Sequence, residues 1–457
     1  MTQWFKAAIL AMVLLGVCSC AEKVDPASQQ TVFKEDVISA LDSEVPKLQQ
    51  EHHVPAVGIG LLENGKITLA RVYGSHQLGK SAPDNTIFNV ASITKVITTM
   101  TVLKLVQDGH WDLDEPLKSY WVDPDIAGDS LHKQITTRHA LTHTIGFKNW
   151  RRMNASGRLE FDFAPGEKYQ YSGEGMEYLK NALENRLAKD LGVLADSLLF
   201  HPLGMEDATL RWIPDKDTLR FAKWYDGNGK EHAIEEYSTP DADAADDLLT
   251  TVNDLAKFGV AVMDSSIVKG KLLREMTQPQ IAIHDNADQG LGWTLVQGLP
   301  GQEYAINHDG GDTGVATTII LLPRSQSGII VLTNGDNGRI LCNAIVKRAV
   351  SYGDEIIKKL YWGGKIPEVI TIDPETLQQY SGTYATNQGT EVSFKVRDNA
   401  LKIEGEGIPG VAIYPKSETE FFPADFEVFF KFTANDSISS FELVSQGKQI
   451  LSGTKTN

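Results

Sequence analysis

The sequence predicts a mixed α/β (α+β) protein, in which helices flank an antiparallel sheet. Two strand-like runs, over residues 56–62 and 66–73, are separated by Asn64-Gly65, a pair typical of a tight hairpin turn. Strand-like runs return over 315–322 and 328–333, and helical patterns lie between the two sets of strands. This order favours one α/β domain with its sheet built from both ends of the domain.

A second, smaller domain is predicted at the C-terminal end. Residues 361–374 carry two prolines and two glycines, a composition typical of a linker. From Tyr380 onward, short apolar runs alternate with turn residues, as in an all-β domain. We therefore predict an α/β domain over 32–360, a linker over 361–374 and a small all-β domain over 375–457.

Four helices are predicted from apolar spacing. The first covers residues 32–50 and is amphipathic, and further helices lie near 176–191 and 251–263. The helix over 92–108 carries little charge, so we expect it to be buried, and Gly109 supplies its end.

Composition excludes several classes of protein. The chain has 457 residues, of which 42% are hydrophobic and 23% charged, so it is neither a fibre nor wholly disordered. Asp and Glu number 60 against 43 Lys and Arg, and the resulting net charge of -17 repels a phosphate backbone. We therefore predict no nucleic-acid partner.

The N-terminus resembles a bacterial lipoprotein signal. An apolar run over residues 7–17 is too short to span a bilayer and ends just before Cys20. We place the lipidated cysteine at Cys20, with a signal peptide over 1–19 and a tether over 20–31. Cys18 fits less well because a branched valine precedes it, and secretory cleavage without lipid is the alternative. The predicted location is the bacterial cell envelope, periplasmic or surface-facing, with the lipid anchor as the only membrane contact.

Two glycine-rich motifs match nucleotide-binding patterns without the context that such binding needs. Residues 74–81 fit the phosphate-loop pattern, but Pro83-Asp84-Asn85 follows where a helix would have to begin. Residues 405–410 fit a dinucleotide fingerprint, but they lie between strand-like runs. We therefore predict that the first motif does not bind a nucleotide, interpret the second as a turn between strands, and predict no cofactor.

A candidate nucleophile lies at the start of the apolar helix. Serine three residues before lysine occurs five times in the chain, but only Ser92 and Lys95 open a strongly apolar helix. Burial there favours a neutral amine that can take the serine proton, and the free N–H groups of the helix start favour an oxyanion. A serine cap with a solvated lysine is the structural alternative.

Four ordered segments extend this pattern: Phe88-Asn89-Val90-Ala91-Ser92-Ile93-Thr94-Lys95, Ile135-Thr136-Thr137-Arg138-His139-Ala140-Leu141-Thr142-His143-Thr144-Ile145-Gly146, Pro202-Leu203-Gly204-Met205 and Gly290-Leu291-Gly292-Trp293. Together they resemble the serine β-lactamase and penicillin-binding-protein superfamily, specifically its class C branch, which includes esterases and D-aminopeptidases. The resemblance implies a β-lactamase/transpeptidase-like fold with an all-helical region and a C-terminal β-barrel. It also implies a serine hydrolase without metal or cofactor, acting on a small molecule or peptide.

The resemblance also assigns a second motif, Tyr-x-Asn, to residues 171–173. Tyr171 is then the phenol that shuttles a proton between Lys95 and the leaving group, and Tyr169 is the weaker candidate. Gly173 replaces the asparagine of the family, and this loss of an amide argues against efficient β-lactam turnover. A core tyrosine without a catalytic role is the alternative.

The third motif of the resemblance appears as His308-Asp309-Gly310, followed by Gly311. The resemblance places Gly310 and Gly311 at the substrate, with the backbone N–H groups of Gly311 and Ser92 forming the oxyanion hole. The resemblance also implies that His308 hydrogen-bonds to Tyr171 or to a substrate carboxylate. The imidazole of His308 would titrate near pH 6.5 if its pKa were unperturbed. A purely structural histidine is the alternative.

Two further features stay open at this point. His139 and His143 lie four residues apart, but no third metal ligand with known spacing accompanies them, so we predict no metal site. The aspartate-rich stretch over 241–247 is either a solvated face or part of the site. The predicted function is cleavage of an ester or amide, including D-amino-acid peptides, through an acyl-enzyme on Ser92. A catalytically weak binding protein of the same fold is the alternative.

Overall fold

The computed structural model describes residues 32–77, 79–211, 219–232, 241–397, 400–405, 408–434, 438–445 and 447–456. The predicted signal peptide, Cys20 and the tether lie outside these residues. Within the described part of the chain, no helix combines the length and apolarity needed to cross a bilayer.

The helices in the described residues are α1 (Val37–His52), α2 (Thr94–Gln107), α3 (Thr137–Leu141), α4 (Gly173–Leu187), α5 (Leu191–Ala195), α6 (His201–Leu203), α7 (Val252–Met263), α8 (Gly270–Met276), α9 (Gly338–Ala349), α10 (Gly353–Tyr361) and α11 (Pro374–Gln379). The strands are β1 (Ala56–Glu63), β2 (Lys66–Gln77), β3 (Lys80–Ser81), β4 (Ile87–Asn89), β5 (Leu249–Thr251), β6 (Ile281–His284), β7 (Ala287–Gln289), β8 (Thr294–Val296), β9 (Ala305–Asp312), β10 (Val315–Leu322), β11 (Ser327–Thr333), β12 (Gly382–Thr386), β13 (Glu391–Arg397), β14 (Ala400–Gly405), β15 (Ile408–Pro415), β16 (Glu420–Pro423), β17 (Val428–Ala434), β18 (Ile438–Ser445) and β19 (Lys448–Lys455).

The main sheet has nine strands in the order β3-β2-β1-β11-β10-β9-β8-β7-β6. Neighbouring strands are antiparallel, and Val57 of β1 pairs with Thr333 of β11. Strands β10 and β11 are buried along their whole length, and β1 is buried except at its last residue. This burial on both faces explains why the three strands are continuous apolar runs rather than alternating ones.

Helices cover the sheet on two sides. One core cluster joins the sheet to residues of α2, α4, α5 and α7, and it extends through the helical region. The other cluster joins the opposite side of the central strands to residues of α1, α9 and α10. The predicted antiparallel sheet flanked by helices is therefore confirmed.

The first helix is shorter than predicted. It begins at Val37 rather than at residue 32, because Phe33 pairs with Val350 and the Ser351 N–H donates to the Val32 carbonyl at 2.8 Å. Asp36 has a φ of 54°, so the chain turns sharply before the helix starts. Pairing with the end of α9 therefore replaces the first predicted turn of helix.

Both glycine-rich motifs lie at the ends of strands. Residues 74–77 complete β2 and Lys80–Ser81 form β3, so the first motif lies at a sheet edge with Lys80 and Ser81 in a strand. The second lies where β14 ends at Gly405 and β15 begins at Ile408. Residues 406 and 407 of that motif lie outside the described residues.

The C-terminal strands β12 to β19 form a closed antiparallel barrel, as the family resemblance implied. Its interior is filled by an aromatic cluster of Tyr380, Tyr384, Phe394, Phe421, Phe430, Phe432 and Phe441. The barrel packs on the α/β part, and the described residues form one compact unit. Trp362 donates its indole N–H to the Ala424 carbonyl at 3.0 Å, and Lys347 pairs with Asp425 at 2.6 Å.

Candidate active site

Ser92 lies in a tight turn, Ala91–Ile93, between β4 and α2. Ala91 has a φ of 46°, a left-handed conformation that costs energy in any residue with a side chain. The turn is held by Asn89, whose Oδ1 accepts a bond from the Ala91 N–H at 2.6 Å. The strain is thus concentrated at the residue before the candidate nucleophile.

Lys95 lies one turn after Ser92 and is only 1% exposed. Its Nζ donates to Ser92 Oγ at 2.9 Å and to the carbonyl of Ala245 at 2.7 Å. The amine is therefore in direct contact with the hydroxyl whose proton it would take. This geometry contradicts the alternative of a solvated lysine.

The aspartate-rich stretch lies at the site and is not merely a solvated face. The Ala245 carbonyl accepts from Lys95 Nζ, and the Ala244 carbonyl accepts from the Thr98 hydroxyl at 2.8 Å. Asp243 Oδ1 accepts from the N–H groups of Ala245 and Asp246 at 2.6 and 2.7 Å. The aspartate side chain therefore holds the turn whose carbonyl positions Lys95.

Two carboxyl groups in and beside this stretch have raised pKa values. Burial raises the pKa of Asp246 to about 7, although the charge of Lys95 acts in the opposite direction. Burial and the nearby Asp243 raise the pKa of Glu177 to about 7 as well. Oδ1 of Asp246 is buried without a hydrogen-bond partner, and Glu177 accepts from the Ala244 N–H at 2.6 Å.

Tyr171 is the tyrosine next to Lys95. The Lys95 Nζ lies 5.0 Å from the centroid of its ring, and the His308 ring centroid lies 6.2 Å from the same point. Tyr169 instead contacts His143, at a centroid distance of 6.1 Å. The structure therefore brings Ser92, Lys95, Tyr171 and His308 together.

His143 also belongs to this group, although the sequence analysis gave it no role at the site. Its ring centroid lies 4.5 Å from that of Tyr171, and its Nδ1 accepts from the Ser172 N–H at 3.2 Å. Complete burial and the charge of Lys95 hold the pKa of His143 well below its usual range. His143 is therefore a neutral ring packed against Tyr171.

His308 is also neutral at pH 7. Burial and the charge of Lys95 lower the pKa of His308 to about 4. Its Nδ1 lies 2.8 Å from the Asp309 carbonyl, which can only accept, so Nδ1 carries the proton and Nε2 is free to accept. This low pKa corrects the expectation of a titration near pH 6.5.

Gly310 and Gly311 lie near the end of β9 and differ in their surroundings. A Cβ at Gly310 would collide with the carbonyl of Val90 in the segment that leads to Ser92, so only glycine permits this approach. The Thr317 hydroxyl donates to the same Val90 carbonyl at 2.8 Å. Gly311 is exposed, and no atom lies within 4 Å of where its Cβ would be.

Gly173 contacts Asn149 and Trp150, two residues that the sequence alone did not assign to the site. Its N–H donates to Asn149 Oδ1 at 2.8 Å, and a Cβ there would lie 2.8 Å from Cη2 of Trp150. The centroid of the Trp150 ring is 6.0 Å from Lys95 Nζ. The indole thus takes the space of a side chain at position 173.

The histidines at 139 and 143 have different surroundings. His139 Nδ1 accepts from the Thr136 N–H at 3.2 Å, whereas His143 faces Tyr171. Among the described residues, no three His, Cys, Asp or Glu side chains are grouped so as to hold a metal ion.

The chain is similar in sequence to several known proteins. The Beta-lactamase family matches residues 41–348. Penicillin-binding protein 4* of Bacillus subtilis (strain 168) is 24% identical over 424 residues, which are 85% of this chain and 92% of that protein. Esterase EstB of Burkholderia gladioli is 30% identical over 190 residues, 35% of this chain and 48% of the esterase.

The fold is similar to that of solved structures at low identity. The octameric penicillin-binding protein homologue from Pyrococcus abyssi aligns with a TM-score of 0.61 and 19% identity, covering 91% of this chain and 99% of that one. The family match spans Ser92, Lys95, Tyr171 and His308. The chain therefore belongs to the Beta-lactamase family, a family of serine hydrolases within the serine β-lactamase and penicillin-binding-protein superfamily.

Proposed function

We propose that this protein cleaves an ester or amide through an acyl-enzyme on Ser92. The observation that carries the proposal is the 2.9 Å contact between the buried Lys95 amine and the Ser92 hydroxyl. In its unprotonated form, the Lys95 amine accepts the hydroxyl proton as Oγ attacks the substrate carbonyl. Tyr171, next to Lys95, then delivers a proton to the leaving group, and neutral His308 orients the phenol.

Covalent labelling tests this proposal. A fluorophosphonate is expected to add one phosphonyl group to the intact protein, and Ser92→Ala is expected to abolish the added mass. Ser266→Ala is the matched control because Ser266 begins another Ser-x-x-Lys segment outside this site, and its labelling should equal that of the wild type. Lys95→Met is expected to slow labelling by a factor of about 10² to 10⁴.

The alternative, a catalytically weak binding protein of the same fold, predicts a different result. A wild-type protein that stays unlabelled, with the same mass spectrum as Ser92→Ala, would rule out the enzyme. The distinction does not depend on the identity of the natural substrate, since the reagent needs only an activated serine.

Within the class of esters and amides, we propose short acyl esters and D-aminoacyl compounds as better substrates than penicillins. The Trp150 indole occupies the space that a side chain at position 173 would need, so this position supplies no amide to a substrate. The amide oxygen of Asn149, which lies beside it, already accepts from the Gly173 N–H. A substrate panel tests the ranking, and faster hydrolysis of nitrocefin than of short esters would reverse it.

A paired substitution tests the role of Trp150 in this ranking. Gly173→Asn alone is expected to clash with the indole and to lower all activities. Combining it with Trp150→Ala makes room for the amide, so nitrocefin hydrolysis should rise relative to ester hydrolysis. If the effects of the two substitutions on the rates are simply additive, Trp150 does not occupy the position of the missing side chain.

We also propose that Cys20 carries lipid and that the protein works in the bacterial cell envelope. The proposal is supported by the apolar run over residues 7–17 that leads to this cysteine. Acyl chains should appear in the mass of protein extracted from membranes and should be absent in Cys20→Ala. Wild-type protein without acyl chains would refute the anchor and leave the catalytic proposal intact.

A further inference from the structure

A partly buried arginine lies behind the strand that borders the site. Arg339, in the first turn of α9, donates from Nη2 to the carbonyl of Gly310 at 2.7 Å and to that of Thr317 at 3.0 Å. Its guanidinium therefore joins β9 to β10 at the level where β9 meets the segment before Ser92. The planar, forked guanidinium can bond these carbonyls and at the same time form an ion pair with a carboxylate.

The carboxylate partner of Arg339 is Asp309. Nη1 of Arg339 lies 3.1 Å from Asp309 Oδ1, and the Tyr361 hydroxyl donates to Asp309 Oδ2 at 2.6 Å. Burial raises the pKa of Asp309, but the charge of Arg339 and the hydrogen bonds that the carboxylate accepts, from Tyr361 among others, together hold this pKa below its usual value. The charged pair is therefore maintained at neutral pH, and it fixes the guanidinium in place.

The carbonyl held by Arg339 belongs to the same peptide unit as the N–H of Gly311. A trans peptide is planar, so its C=O and N–H point in opposite directions. A guanidinium that fixes the C=O therefore also fixes the direction of the N–H. Hydrogen bonding at the carbonyl also polarises the amide and makes the N–H a stronger donor.

We propose that Arg339 is a positioning residue for the oxyanion hole, acting through the peptide unit that joins Gly310 to Gly311. The inference rests on the proposed function, together with the oxyanion hole that the family resemblance assigns to the N–H groups of Ser92 and Gly311. Arg339 aims and strengthens the Gly311 donor without touching the substrate. Its positive charge, one peptide unit away, also favours negative charge on that oxygen.

The acyl carbonyl itself reports on this effect. Hydrogen bonds in the oxyanion hole weaken the acyl C=O bond and lower its stretching frequency. The experiment uses the full chain, acylated on Ser92 by an ester with a ¹³C-labelled carbonyl, and compares infrared difference spectra. In Arg339→Gln, we expect the band to move to higher wavenumber and acylation to slow by at least about tenfold, with KM little changed. Arg339→Lys should lie between Arg339→Gln and the wild type.

Two control variants separate positioning from general stability. Arg348→Gln removes an arginine of the same helix whose partner is the exposed Glu44, at 2.9 Å, and should keep the wild-type band and rate. Tyr361→Phe removes the hydroxyl bond to Asp309 but leaves the bond from Arg339 to Gly310. It should lower the melting temperature and leave the band near its wild-type position.

The outcomes are distinct. A wild-type band position and acylation rate in both Arg339 variants would overturn the positioning role while leaving the proposed function standing. A wild-type protein that forms no acyl-enzyme would overturn the proposed function, and this inference with it. If Arg339→Gln does not fold, Arg339→Lys tests the same point, because a single amine cannot take the places of both Nη2 on the carbonyls and Nη1 on Asp309.

Discussion

At the scale of single residues, the site depends on side chains that burial keeps neutral. His308 and His143 both flank Tyr171, and both lie near the amine of Lys95. A protonated imidazole at either position would place a positive charge in a buried site, which raises the free energy of the folded protein. The tyrosine therefore works between two uncharged rings over the physiological pH range.

This arrangement predicts the acid limb of the pH profile. Because the pKa of His308 is lowered to about 4, the fall of kcat/KM that comes from its protonation is expected near pH 4 and not near 6.5. His308→Lys carries a fixed charge and should lose this limb, with some loss of activity on neutral esters. The prediction is checked by measuring kcat/KM against pH for both proteins, with circular dichroism to confirm that they stay folded at low pH. An acid limb that His308→Lys leaves unchanged would assign the titration to another group.

At the scale of elements, much of the scaffold was predictable and the contacts within the site were less so. The predicted bounds of β10, 315–322, match the structure because Gly314 and Pro323 delimit a run of mostly apolar and β-branched residues. Ser92 and Lys95 were found because they share one helix start. No sequence periodicity links Ala245 or Trp150 to Lys95, since those contacts arise only when distant loops fold onto α2.

Because the pKa of Asp246 in the aspartate-rich stretch is raised, we expect the stability of the protein to depend on pH. The pKa of Asp246 is about 7 in the folded state, above its ordinary value of 3.8, so the folded protein retains a proton that the unfolded chain has released. The free energy of unfolding is therefore expected to fall as the pH rises from about 4 to 7.

Asp246→Asn removes this dependence at one position. The unfolding free energy of the variant minus that of the wild type should increase by at least about 1 kcal/mol from pH 4 to pH 8, even after the partial exposure of Asp246 is allowed for. Urea unfolding at the two pH values measures the gain, and Asp241→Asn, at an exposed position, is the control. An equal difference from the wild type at both pH values would show that Asp246 does not titrate as described.

At the scale of the whole molecule, the barrel and the α/β part share an interface built around one tryptophan. Trp362 is fully buried, and its ring meets those of Phe422 and Phe429 edge-on at 5.6 and 6.0 Å. Close by, Phe426 of the barrel contacts Tyr361, the residue bonded to Asp309 behind the site. The interface thus connects the barrel with the polar cluster that supports β9.

Substitutions at this interface should separate apolar packing from charge. Trp362→Ala is expected to cost about 3 to 5 kcal/mol of unfolding free energy through lost burial and a cavity. Lys347→Ala breaks a partly exposed ion pair with Asp425 and should cost less than about 1 kcal/mol. Calorimetry of the full chain measures both, and similar losses in the two variants would contradict an interface dominated by Trp362.

The pairing of β1 with β11 sets a condition on the order of events during synthesis. Val57 emerges early, but its partner Thr333 follows more than half a chain length later. The centre of the sheet therefore closes only after almost the whole α/β part has left the ribosome, and such non-local pairing is slow. Ser92 is therefore synthesised well before β9 and β10. A nascent chain that ends before them contains the nucleophile but lacks the strand against which its turn is packed.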